Sequence, residues 1–130
     1  MSHKKYVASL IVDHSGEFVP TEISTAVLGS DRVITVIDEL SKKIYLWLGK
    51  ESTLNNRMGA RRAVKSIPTF GLRVEGAEFP IGRDCTIVEI DEATAGSDEK
   101  MQTNLAELET VLGKAHPKQG KGISYVRDIS

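Results

Sequence analysis

Between residues 32 and 67 the chain reads RVITVIDELSKKIYLWLGKESTLNNRMGARRAVKSI, and this stretch restricts the fold more than any other. Two apolar runs, 33–37 and 44–48, are joined by the polar DELSK segment. Val33, Val36, Ile37, Ile44 and Tyr45 are β-branched or aromatic, which suits a pleated, half-buried surface. The runs therefore read as two strands of a hairpin. A turn at Gly49-Lys50 follows, and then residues with helical spacing up to Pro68. Ser52 is the expected N-cap, because its hydroxyl can accept an otherwise unpaired N–H of the first turn. Pro68 disfavours helical φ/ψ at Ile67, so the helix is expected over about 53–66.

On a wheel of about 100° per residue this helix has two unlike faces. Asn56, Ala60, Ala63, Val64 and Ile67 form a small, mostly apolar face suited to lying close against a sheet. Leu54, Met58, Arg61, Arg62 and Lys65 form the opposite face. Two large apolar residues flanked by cations there can be an ordinary solvated surface with long aliphatic stems. They can also be a partner-binding ridge, since apolar residues beside Arg are common interface material.

Before this stretch, residues 6–12 read as a central strand, 13–16 (DHSG) as a turn, and 18–23 as an extended segment that Pro20 keeps at an edge. Residues 24–31 read as a loop. After the stretch, 72–75 suit a short strand, 80–84 (PIGRD) a turn, and 85–90 (CTIVEI) a strong strand. A loop at 94–97 leads to a second helix capped by Ser97 or Asp98. There Met101, Leu105, Leu108 and Leu112 recur at three- and four-residue spacing, and Gly113 is the expected C′ residue. From residue 114 the chain is polar and Gly/Lys-rich. A domain at 1–113 and a tail at 114–130 are expected, with the closing ISYVRDI run able to hang free or to pair with a sheet edge or a partner. Two amphipathic helices around one sheet make an α+β sandwich.

Four ordered pieces of this chain resemble the repeat of the gelsolin/villin/severin family. Trp47, Gly49 and Lys50 match its strand-to-helix turn, followed by Arg57 and Ala60 in its long helix. GSDRVITVID is similar to its aspartate-bounded strand, with Asp31 and Asp38 on the two aspartates. KKYVASL and EFVPTEIS look like its opening strand and Glu-Val-Pro segment. The resemblance implies a gelsolin-like mixed sheet of about five strands sandwiched between one long and one short helix, the long one being that at 53–66. It also implies an actin-binding protein whose long helix enters an apolar cleft on actin. Leu54, Met58, Arg61, Arg62 and Lys65 would then be the contact residues, in the i, i+4, i+7 geometry of helix-in-groove recognition. One domain offers one such surface, which suits monomer sequestration or barbed-end capping better than severing. Gelsolin-like domains also occur as scaffold modules in vesicle-coat proteins, where the same helix would meet another protein. A phosphoinositide-responsive domain is a third reading, resting on Arg61, Arg62 and Lys65.

Calcium is a further implication of the resemblance. By position its ligands would be the Ser30 carbonyl, Asp31 and Asn56, with a further oxygen from near the last strand. Asn56 stands where the family has a glutamate, so a bidentate carboxylate is replaced by a neutral amide. Ca²⁺ affinity follows the number and charge of its oxygen ligands. A weakened or lost site is expected.

Other chemistry finds little support. There are 17 basic and 18 acidic residues, which argues against a general nucleic-acid or anionic-membrane binder. Cys85, the single cysteine, excludes an intrachain disulfide and a Cys-rich zinc site, and in its apolar run it reads as a small buried hydrophobe. His3, His14 and His116 lie in terminal or turn segments. LGKES lacks the opening glycine of a phosphate-binding loop, since that position is Ile44. A binding protein rather than an enzyme is expected. No secretory leader or run of about 20 apolar residues is present, so a soluble, intracellular protein without stable membrane association is expected, and the resemblance implies a cytoplasmic, cytoskeleton-associated one.

Overall fold

A computed structural model describes residues 5–13, 15–114, 118–120 and 122–126. His3, His14 and His116 lie outside the described residues. Among the described residues seven strands form one mixed sheet: β1 (Lys5–Val12), β2 (Phe18–Pro20), β3 (Val33–Asp38), β4 (Lys43–Leu48), β5 (Thr86–Asp91), β6 (Lys118–Gly120) and β7 (Ile123–Val126). Its order is β5-β4-β3-β1-β7-β6, with β2 also on β1. Five longer strands carry the sheet, and β2 and β6 add three residues each. The helices are α1 (Leu54–Val64), α2 (Ile67–Phe70), α3 (Glu92–Ala95) and α4 (Glu99–Gly113).

The hairpin 33–48 forms as its pattern implies, β3 and β4 pairing antiparallel from Val33↔Leu48 to Asp38↔Lys43. Asp38 builds the turn by accepting hydrogen bonds from the Leu40 N–H and the Ser41 hydroxyl. Both strands are buried on both faces, so successive residues feed two separate cores. Val33, Ile37, Ile44, Leu46 and Leu48 pack under α1 with Ala60, Val64 and Ile67. Ile34, Val36, Tyr45 and Trp47 pack against α4 with Leu108, Val111 and Leu112. β5 returns parallel to β4 after the α1–α2 crossover.

Several local expectations are corrected. The N-cap of α1 is Thr53, whose hydroxyl accepts the Asn56 N–H at 3.2 Å, because Ser52 is used elsewhere. α1 has 11 residues and α4 has 15, so the helix expected to be long is the shorter of the two. Pro68 does not end α1; the break comes at Lys65–Ser66, and Pro68 sits in the first turn of α2, where its missing N–H has no partner to lose. Gly113 closes α4 as its last helical residue, with Lys114 as the cap. Residues 72–75 contribute one bridge, Leu72↔Ile81, rather than a strand. The loop expected at 94–97 begins inside α3, which Asp91 caps through the Ala93 N–H.

The boundary expected at residue 113 does not separate sheet from tail. β7 pairs antiparallel with β1, Lys5↔Val126 to Ala8↔Ile123, and Ile123 is fully buried. β7 and β2 share one side of β1 in tandem, and Ser9 is the point of exchange. Its N–H donates to the Gly122 carbonyl at 2.8 Å and its carbonyl accepts the Thr21 N–H at 2.9 Å. Gly122 has φ +75°, and a Cβ there would lie 2.7 Å from the Thr21 nitrogen, so only glycine fits this junction.

Candidate functional site

The outer face of α1 is set by the turn that launches the helix. Trp47 donates its indole N–H to the Gly29 carbonyl at 2.9 Å, drawing the 28–31 loop over the end of β4. Gly49 then passes so close to that loop that a Cβ would lie 2.2 Å from the Ser30 carbonyl oxygen. Arg57, one turn into α1, locks the arrangement from the helix side. It donates to the Gly49 carbonyl at 2.7 Å and to the Ser52 hydroxyl at 2.9 Å, and lies 3.7 Å from Asp91. Sequence reading matched Arg57 to a motif without giving it a task; its task here is to fix the angle at which α1 leaves the sheet.

With the helix so placed, its small residues Gly59, Ala60 and Val64 are buried. Leu54 and Met58 are 68% and 48% exposed. Arg62 and Lys65 are exposed and, among the described residues, enter no salt bridge. Arg61 differs. Its guanidinium pairs with both oxygens of Glu89 on β5, at 2.7 and 3.1 Å, and this carboxylate raises the arginine's pKa. Four of the five residues assigned to the ridge thus stand out from the fold, and the fifth is held against the sheet edge. The pair is more than a third exposed on each side, so it orients Arg61 more than it stabilises the domain.

The residues implied for calcium lie around the same turn. The Ser30 carbonyl already accepts the Glu51 N–H at 2.8 Å, and Asp31 is exposed. Asn56 is half-buried near the start of α1. Two further acids stand nearby, but both are engaged. Glu92 accepts the Lys50 N–H and the Ser30 hydroxyl, and Asp91 faces Arg57 while capping α3. Among the described residues no three His, Cys, Asp or Glu side chains cluster as a metal site would need. Ser30, Asp31 and Asn56 offer one carbonyl, one carboxylate and one amide toward the six to eight oxygens that Ca²⁺ takes, a set weaker in charge than one with a glutamate at position 56.

Cys85 is 6% exposed, and burial pushes its thiol up to about 11, which leaves it neutral and weakly nucleophilic near pH 7. No helix among the described residues is long and apolar enough to cross a membrane.

No family model and no curated protein matches this chain. A solved structure does: a chain in the crystal structure of the Thorarchaeota ProGel/rabbit actin complex. The TM-score is 0.51 with 24% sequence identity, covering 76% of this chain and 97% of that one. The fold is gelsolin-like. The likeness at this identity speaks for the architecture alone, a mixed sheet between helices.

Proposed function

We propose that this protein binds actin through the outer face of α1. The observation that carries the reading is the exposure of Leu54 and Met58, one turn apart, on a helix whose sheet-facing side needs neither of them. Exposed apolar residues at this spacing are the anchors of helix-in-groove recognition. Support comes from the gelsolin-like chain of similar fold, which was crystallised in a complex with actin. Arg62 and Lys65 border the anchors as a cationic rim. Arg61 acts through its pair with Glu89 and holds the rim's geometry. A single such face suits sequestering monomers or capping a filament end. The protein acts by occupying a surface, without catalysis and without a calcium requirement.

The test is the rate of filament elongation from seeds with pyrene-labelled actin, at increasing concentrations of the folded protein, with calcium and with chelator. Concentration-dependent slowing, equal in both conditions, is expected. No slowing at tens of micromolar protein would defeat the actin reading and favour a scaffold module that uses the same face for another protein.

A further inference from the structure

The edges of the sheet are finished differently. β6 has three residues and a register shift against β7, and β2 has three residues ending in Pro20. Short length, bulges, proline and charged side chains are among the devices that keep an edge from pairing with another chain. β5 lacks the first three, and its two carboxylates, Glu89 and Asp91, face Arg61 and Arg57. Its six residues, TIVEID, run in unbroken register with β4 and contain no Gly, Pro or Lys. Among the described residues it is the long, regular edge, with Thr86 exposed and residues 87–89 half-buried.

The Thr86 N–H donates to the Lys42 carbonyl at 2.9 Å, which sets the alternation. Backbone groups of Thr86, Val88 and Ile90 face β4, and those of Ile87, Glu89 and Asp91 face outward. A groove of about 480 Å³ runs beside this edge, between β5 and the first turns of α4, lined by Val88, Met101, Asn104 and Lys43 among others.

We propose that the β5 edge is a self-association site, pairing antiparallel with β5 of a second copy of this chain around a two-fold axis at Val88. The chemistry of the edge selects that occupant and register. An axis at Val88 sets Ile87 opposite Glu89 of the second copy, twice, and both members of each pair carry outward backbone groups able to exchange two hydrogen bonds. Val88 meets its own counterpart as an apolar pair at the mouth of the groove. An axis at Glu89 would set two carboxylates directly opposite, which disfavours pairing. An axis at Ile87 would draw on Cys85, whose N–H is already given to the Gly82 carbonyl. In the Val88 register each Glu89 remains paired with its own Arg61. The assembly presents two α1 faces, a consequence that rests on the proposed role of α1; the pairing itself does not.

Sedimentation velocity from micromolar to near-millimolar protein tests the pairing, with apparent mass expected to rise from 14.2 kDa toward twice that value. Val88→Lys, checked by circular dichroism to be folded, is expected to remain monomeric at concentrations where the parent has doubled. Register is tested by oxidation with diamide. Non-hydrogen-bonded partners lie about 4.5 Å apart at Cα, so Val88→Cys is expected to give a covalent dimer and Glu89→Cys much less. A parent that stays monomeric throughout overturns the proposal. Equal dimerisation of Val88→Lys, or preferential cross-linking at residue 89, overturns it as well.

Discussion

The two helices that cover the sheet solve the same packing problem with opposite residues. α4 buries Leu108, Val111 and Leu112, packs Met101 and Leu105 partly against the same core, and turns Thr103, Ala106, Glu109 and Thr110 to solvent. α1 buries Gly59, Ala60 and Val64 and leaves Leu54 and Met58 outside. A helix that packs through small residues lies close to the sheet and gains little from its own large side chains. Its large residues are then available for something other than folding. The contrast places stability in the inward face of α4, and the proposed recognition in the outward face of α1.

The sharpest way to break this contrast is Ala60→Asp. Ala60 is fully buried against the sheet, and an unpaired carboxylate there costs several kcal/mol, much of the stability of a domain this size. Thermal melts are expected to lose their cooperative transition. A normal melt would mean that α1 is rotated from the orientation described.

Leu108→Ala comes next. Leu108 is fully buried in the α4-side core, and truncation is expected to cost about 2–5 kcal/mol. Urea denaturation measures it; a loss below about 1 kcal/mol would show that the α4 core collapses around the gap.

Met58→Asp separates the two roles. Stability is expected to change by less than about 0.5 kcal/mol, since the residue is half exposed. Affinity for actin is expected to fall about a hundredfold or more, because a carboxylate buried unpaired in an apolar cleft costs several kcal/mol. Parallel melts and titrations decide it. A large fall in stability with unchanged binding would reverse the assignment of α1.

The smallest effect concerns how the α1-side core closes at its margin. Glu39 accepts the Tyr6 N–H at 3.1 Å and the Gly82 N–H at 3.2 Å, and burial raises its pKa above the usual 4.5. The folded state therefore holds this proton more tightly than the unfolded chain does. The group's contribution is fully present below pH 4.5 and is lost as pH rises through the folded value. Glu39→Gln is expected to gain slightly in Tm relative to the parent as pH rises from acid to neutral. A loss relative to the parent over that range would show that the two backbone hydrogen bonds outweigh burial.

The hairpin, the strand at 85–90, both amphipathic helices and the outward placement of Leu54 and Met58 were legible in the sequence. Each rests on the periodicity of a run of neighbouring residues, and periodicity is a local property of the chain. The capping of α4 by Asp98 was one of two local choices, and its hydroxyl alternative, Ser97, lies one residue too early.

Other features depend on residues far apart in sequence. The four residues of β7 have a strand-like composition but no periodicity that names a partner, and their place beside β1 follows from the Ser9–Gly122 junction. Parallel pairing of β5 with β4, and with it the bare edge, follows from the direction in which the α1–α2 crossover returns the chain. Arg61 reads as one more cation on an outer face until Glu89, 28 residues later, is brought alongside. Local pattern by itself determined the strands of the hairpin, the strand after the crossover, the two main helices and which face of each is apolar. Tertiary structure alone decided which strand lies at the edge, which arginine is engaged and how far each helix runs, because those depend on backbone and charge partners that only the closed chain supplies.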